Sequence, residues 1–408
     1  MQDYIIILKI LISVLAGKNL TEVFNEATLN KDLNRSKIKD ICYGLIRNYY
    51  KISYYLSKFV KLPPDDERIE LILKIAIYEI LLTKKPEHAI TNDMVNLVFE
   101  ITNITEHKNF VNAVLRNIIR NKTELKFGDL ESKYDMPLWI INKLKQDYKH
   151  NYVNILQNLN LEPKLGLRVN HKKISRDEYV KLLELSDISY VIKREKIVCE
   201  KIISVDKIPL FSDGGVSVQD IAAQELIDFY TIPENSYVLD ACSAPGGKTC
   251  QILEGYDVKL LALDIDANRL GKVKDNLHRL QLNTTTKCAD ASNLLWWDKQ
   301  LFDVIIADVP CSATGTIKRN PDIKLQRTEW GIDCFVATQR KIIFNLWQTL
   351  KVGGRLIYIT CSIFKEENQE NIQYFVEKLD NIRVVKELQI LPTQYNDGFY
   401  YCLLEKLK

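Results

Sequence analysis

From residue 216 to the end, short apolar runs rich in β-branched residues alternate with stretches of helical periodicity, and few folds satisfy that pattern. Residues 237–240, 259–264, 285–289, 303–308 and 355–360 read as strands, with 400–405 as a last one. Residues 248–253, 267–280 and 336–350 read as helices between them. The expectation is an α/β domain over 216–408 with a largely parallel, doubly wound, Rossmann-like sheet. Ligands bind such sheets just outside the carboxyl ends of the strands.

Chemistry-bearing residues cluster at those ends. The run 304–307 stops at Asp308, and Pro310 prevents the ladder from continuing, which leaves an acid, a proline and Cys311 beyond a buried strand. Cys361 follows 355–360 in the same way, 50 positions later. If the two strands are neighbours, both thiols share one edge. Strand 237–240 feeds Ala241-Cys-Ser-Ala-Pro-Gly-Gly-Lys248, a tight turn through which a ligand can approach backbone. Its spacing is neither that of an ordinary dinucleotide loop nor of a Walker loop. Asp264 ends the next strand, where an acid suits a ribose, and Asp290 ends the third, where it suits an adenine amino group. Singly, each has an ordinary structural use as turn, cap or core filler. Ligand-type residues at three consecutive strand ends favour a nucleoside-containing cofactor.

Ahead of this domain, 1–125 reads as all-helical, with helical spacing in 4–16, 38–60, 69–82, 89–101 and 110–119, punctuated at Pro63-Pro64 and Pro86. Arg35, Lys37, Lys39, Arg47, Lys51 and Lys58 form either a phosphate-binding face or a solvated helix surface. Residues 126–215 read as a small α+β connecting module: helices at 137–148, 152–159 and 176–185, and strands at 165–169, 189–192 and 196–199. Residues 1–215 carry 34 Lys/Arg against 28 Asp/Glu, whereas 216–408 carry 22 against 25, so any polyanion preference belongs weakly to the front half. Nine cysteines with no Cys-x-x-Cys pair point to a reducing compartment, and a metal site is not expected. The apolar stretch 5–16 is too short to span a bilayer, so a cytoplasmic protein is expected.

The turn 241–249, Asp308-Val-Pro-Cys-Ser-Ala-Thr-Gly315 and Thr360-Cys-Ser362 resemble the Sun family of S-adenosylmethionine-dependent RNA cytosine-5 methyltransferases. Phe110-Val-Asn-Ala-Val-Leu-Arg-Asn117 is similar to the NusB-like domain that precedes the catalytic domain in ribosomal RNA members. Ser217–Asp220, Arg319–Ile323, Glu366–Asn368 and Asp397–Phe399 also match, while Val309 and Ser243 depart from the usual alanines without touching functional positions. The resemblance implies an all-α NusB-like RNA-binding domain, then the connecting module, then a methyltransferase domain acting on carbon 5 of a cytosine in 16S rRNA, free or early in assembly. No obligate protein partner and no membrane are implied.

Carbon 5 of cytosine is a poor nucleophile, so a thiolate must first add at carbon 6 and make the ring an enamine. Charge then builds at N3, where Asp308 is placed to donate a proton or hydrogen bond. Spacing does not decide which thiol does which. The resemblance implies Cys361 as nucleophile and Cys311 as the residue assisting product release, with Lys248 supporting the carboxylate or substrate. It also implies that Cys242, Ser243, Ala244, Pro245, Gly246, Gly247, Lys248, Asp264, Asp290 and Asp308 contact S-adenosylmethionine, and that Lys318 and Arg319 lie near RNA. Two other readings stand beside this one. A tRNA cytosine-5 methyltransferase would carry the same catalytic motifs. A non-catalytic NusB-like RNA-binding factor would not need two strand-end thiols and an intact cofactor turn.

Overall fold

Seven strands form the sheet that carries the strand-end residues, in the order β10-β11-β9-β8-β5-β6-β7. These are β5 (Tyr237–Asp240), β6 (Lys259–Asp264), β7 (Thr285–Cys288), β8 (Phe302–Asp308), β9 (Leu350–Thr360), β10 (Ile382–Ile390) and β11 (Phe399–Lys406). The computed structural model describes residues 1–30, 32–62, 64–121 and 128–408. Pro63 and the expected boundary at 125/126 lie outside them. The chain divides into two units, 1–160 with 317–327, and 161–316 with 328–408.

In the second unit β5 through β9 are parallel, while β10 and β11 add antiparallel to one edge. Strand β10 was not expected, because its half-exposed, Lys/Glu-containing sequence lacks the apolar run of a buried strand. Side chains alternate between two cores, as the pleat requires. Val238, Val304, Ile306, Ile357 and Ile359 join one core with α1 (Gly247–Gly255) and α2 (Ala267–Leu280). Leu239, Ile305, Ala307, Leu356 and Tyr358 join the other with α3 (Glu329–Thr349) and α4 (Gln369–Lys378). The chain leaves β5 toward β6 and β7 on one side and later fills β8 and β9 on the other. The switch point therefore lies between the carboxyl ends of β5 and β8, where a crevice must open. Asp308 pairs with Ile359, so the loops after β8 and β9 leave the sheet side by side.

The same unit holds a four-stranded antiparallel sheet, β2-β3-β1-β4, made of Leu165–Val169 (β1), Tyr190–Lys193 (β2), Lys196–Cys199 (β3) and Val216–Val218 (β4). Its fourth strand comes from beyond residue 215. Arg168 in β1 is almost fully buried; it pairs with Glu254 and donates through Nη1 to the Gly247 carbonyl at 2.8 Å, bracing α1 from behind.

In the first unit, helices Gln2–Leu15, Arg35–Arg47, Glu67–Leu82, Glu87–Thr102 and Thr105–Arg120 bury one apolar core. The expected single run 38–60 is two helices, because Asn48 ends the first with its side chain on the Gly44 carbonyl and the next begins at Tyr49. Residues 317–327 pack with this unit. Lys324 is buried, 3.6 Å from buried Asp135, and its Nζ donates to the carbonyls of Arg47 and Asp135. Burial lowers the Lys324 pKa to about 8 and raises that of Asp135 despite their mutual attraction. Asp322 accepts from the Leu20 N–H at 3.1 Å. Of the basic face expected in the front half, Arg47 donates to the Lys318 carbonyl, Lys51 lies 3.6 Å from Asp135 and Lys37 lies 3.7 Å from Asp3, so these three are turned to protein partners.

Candidate active site

The turn between β5 and α1 begins at Asp240, which is fully buried; one of its oxygens accepts from Thr249 Oγ1 at 2.5 Å and the other has no hydrogen-bond partner. Burial raises its pKa to about 7. Gly246 starts α1 at φ 101°, and a Cβ there would stand 3.1 Å from the Val273 Cα, so glycine alone lets the turn close against α2. The buried hydroxyl of Ser243 is likewise unpartnered.

In front of this turn lies a cavity of about 200 Å³ lined by Cys242, Ala244, Asp264, Asp290 and Asp308 among others. Five of the ten residues expected at the cofactor thus meet at one opening. Ser243, Pro245, Gly246, Gly247 and Lys248 are not part of its lining and form the turn and helix start beside it. Asp264 accepts from the Ala244 and Asp266 N–H groups, both at 3.0 Å, so the same carboxylate that faces the cavity shapes its wall. Asp290, two residues past β7, accepts from the backbone and hydroxyl of Ser292. The lining also includes Pro310, expected at this strand end, and Ile265, Arg269 and Ala289, which sequence reasoning did not single out. Arg269 donates to the Ala244 carbonyl at 3.1 Å, and its position one turn into α2 was the available signal.

Lys248 Nζ lies 2.6 Å from Asp308 Oδ2. Burial disfavours the Lys248 ammonium, but the adjoining carboxylate outweighs it and holds the pKa above its ordinary value. Cys311 and Cys361 lie with their sulfurs 3.4 Å apart, both partly buried and both free. The Cys361 contact, burial and the charge of Glu367 together hold the Cys311 thiol well above the usual thiol range. Cys361 is instead close enough to Lys248 for their charges to interact. Of the two thiols, it is Cys311 that feels the charge of Glu367. Cys242, by contrast, is pushed up by burial and has no such partner role in the thiol pair.

Lys318 departs from expectation. It is completely buried with the first unit's segment 317–327, which removes its amine from any RNA-facing surface; Arg319 is half-buried.

Residues 230–405 match the family model for the 16S rRNA methyltransferases RsmB/F, residues 2–120 that for the NusB family, and residues 136–203 that for the ferredoxin-like domain of RsmF/B-like methyltransferases. Ribosomal RNA small subunit methyltransferase B of Proteus mirabilis is 34% identical over 96% of this chain and 95% of its own length. The protein of that name from Shewanella oneidensis is 36% identical over 91% of each. The chain belongs to this methyltransferase family. The crystal structure of PH0851 has the same fold, with a TM-score of 0.81 at 24% identity over 95% of this chain and 94% of that one. A methyltransferase homolog from Pyrococcus horikoshii covers 68% of this chain and 97% of its own at 22% identity and a TM-score of 0.60. The Rossmann-like sheet and the NusB-like front are as the motifs implied, and the small α+β module expected between them matches a ferredoxin-like domain. Among the described residues no helix is long and apolar enough to cross a membrane.

Proposed function

We propose that this chain methylates carbon 5 of a cytosine in 16S ribosomal RNA through a covalent thiol adduct, in the cytoplasm. The observation that carries the proposal is the pair of thiols 3.4 Å apart beside the Lys248–Asp308 ion pair. The cavity fits a sulfonium nucleoside: acids suited to ribose hydroxyls and an adenine amino group line it, and the glycine turn brings backbone close. S-adenosylmethionine bound there supplies the electrophilic methyl group, held by Cys242, Ala244, Asp264 and Asp290, with the turn Ser243 to Gly247 behind them.

Cys361 adds at carbon 6, the role that the family motif Thr360-Cys-Ser362 implies for it. Asp308 faces N3 with the Lys248 ammonium bonded to it, and the proton that the pair shares is the one offered to N3 as charge develops there. Carbon 5 of the enamine would then take the methyl group, the methyl–sulfonium bond breaking as the carbon–carbon bond forms. Cys311, kept protonated by the Cys361 contact, burial and Glu367, lies 3.4 Å from the Cys361 sulfur and assists release by giving it a proton as the carbon 6–sulfur bond breaks, while the carbon 5 proton leaves to water. A base inside a duplex is out of reach of such a site, so the target cytosine is unstacked or extruded. Arg319 remains the RNA contact carried from the sequence.

The test is incorporation of labelled methyl groups into 16S rRNA lacking this modification, with bisulfite mapping of the product. One protected cytosine in 16S rRNA supports the reading. Labelling of tRNA in preference would move the substrate to the rival class, and no labelling of any RNA would overturn the activity.

A further inference from the structure

Behind the two thiols lies a carboxylate that the reaction as read from the sequence does not use. Glu367 stands in the turn Lys365–Glu367 ahead of α4 and is completely buried. Its Oε1 accepts from the Ser312 N–H at 2.8 Å and from Gln339 Nε2 at 3.0 Å. Its Oε2 accepts from the hydroxyls of Ser312 and Ser362, each at 2.5 Å. Ser312 follows Cys311 and Ser362 follows Cys361, so one side chain holds both thiol loops by the residue next to each sulfur. Thr314 Oγ1 closes the cluster, 3.2 Å from Ser362 Oγ and accepting from the Ile363 N–H at 3.2 Å.

Four donors converge on this group, and only the ionised carboxylate accepts from all of them. A buried charge is expensive in stability, and a neutral side chain would anchor α4 at lower cost. The charge is therefore better explained by what it holds. Its donors come from the ends of two different strands, and its field falls on Cys311.

We propose that Glu367 is a positioning residue for the reaction: one ionised carboxylate, bonded to the residue after each cysteine, sets the separation of the two sulfurs. The inference rests on the reading of Cys311 and Cys361 as the reactive thiols. Neither attack at carbon 6 nor the assisted release of Cys361 from that carbon tolerates a sulfur displaced by an ångström, so the clamp acts on both half-reactions.

The test uses the full-length chain with Glu367→Gln, which keeps the side-chain volume. The probe is phenylarsine oxide, which condenses with two thiols already in reach of each other, forming two As–S bonds and releasing one water. The parent binds it through Cys311 and Cys361, and Cys361→Ala supplies the unbridged control. Glu367→Gln should weaken bridging at least tenfold and lower kcat at least thirtyfold, with S-adenosylmethionine affinity unchanged within twofold. Alkylation of Cys311 by iodoacetamide should begin at lower pH in the variant, since a neighbouring negative charge is gone. A merely structural residue would not move that profile. Glu367→Asp, which restores the charge, should recover the Cys311 profile in part. If Glu367→Gln does not fold, Ser362→Ala cuts one tie alone and should weaken bridging at least threefold. Unchanged bridging with an unchanged Cys311 profile in a folded variant overturns the proposal. Full methylation by Cys361→Ala would instead overturn the chemistry on which it rests, and the two failures are separately visible.

Discussion

Two carboxylates near the cofactor cavity do different work, and each gives a measurable signature. Asp264 lines the cavity while accepting two backbone N–H groups, so Asp264→Ala should weaken S-adenosylmethionine binding by about 1.5–3 kcal/mol, as for loss of a charge-assisted hydrogen bond. Calorimetric titration measures this; unchanged affinity in a folded variant would reduce Asp264 to a wall support. Asp240 is buried with one oxygen unpartnered, and its pKa is raised to about 7. A raised carboxyl contributes stability that is fully present below its unfolded value near 4 and is lost as pH rises through about 7. Asp240→Asn, which keeps an acceptor for Thr249, should therefore gain on the parent by on the order of 2–4 kcal/mol between pH 4 and pH 8. Thermal unfolding of both proteins across that range checks the sign. A constant difference would mean that Asp240 is ionised throughout.

At the scale of elements, the loops after β8 and β9 meet through backbone. Gly315 donates to the Cys361 carbonyl at 2.9 Å, and a Cβ at Gly315 would lie 2.8 Å from that oxygen and 2.3 Å from the Gly398 carbonyl. Gly315→Ala should therefore displace the Cys361 loop and cut kcat at least tenfold, with cofactor affinity retained; steady-state methylation alongside titration reads both. The segment 317–327 depends on Lys324 in the first unit. Lys324→Met should cost that unit about 3 kcal/mol, the low end for one partner of a buried ion pair, since Lys51 still faces Asp135. Denaturant unfolding followed by circular dichroism measures it. These two segments also mark how far the sequence could be read. Strands β5, β6 and β8 were visible because each is an apolar run ending on an acid, and the supposition that the strands before Cys311 and Cys361 are neighbours is met by the β8–β9 pairing. Lys318 was expected near RNA because the partners that bury its segment, Arg47 and Asp135 among them, lie far away in sequence. Glu367 lay within a segment that matched the family pattern but had no role there for the same reason: its meaning arises only where two Cys-Ser pairs 50 positions apart meet. Strands β4 and β10 were missed because one is three residues long and the other lies half-exposed at a sheet edge.

For the whole molecule, a helical NusB-like front, a ferredoxin-like module and a catalytic sheet are joined in one chain, and the reaction needs a cytosine taken out of its stack. A base packed in a closed particle is harder to extrude, so free 16S rRNA should be methylated faster than assembled 30S subunits; equal rates of methyl incorporation would count against this. The central claim is that Cys361 forms the bond to RNA and Cys311 ends it. The direct measurement is denaturing electrophoresis of Cys311→Ala, Cys361→Ala and the double variant after incubation with 16S rRNA and S-adenosylmethionine. Both thiols are partly exposed and each replacement is small, so circular dichroism should show intact folds. Cys311→Ala should accumulate a protein–RNA complex that survives denaturation, and neither Cys361→Ala nor the double variant should show one. A stable complex from Cys361→Ala and none from Cys311→Ala would reverse the two roles, and retained activity with no complex from either would contradict the covalent mechanism.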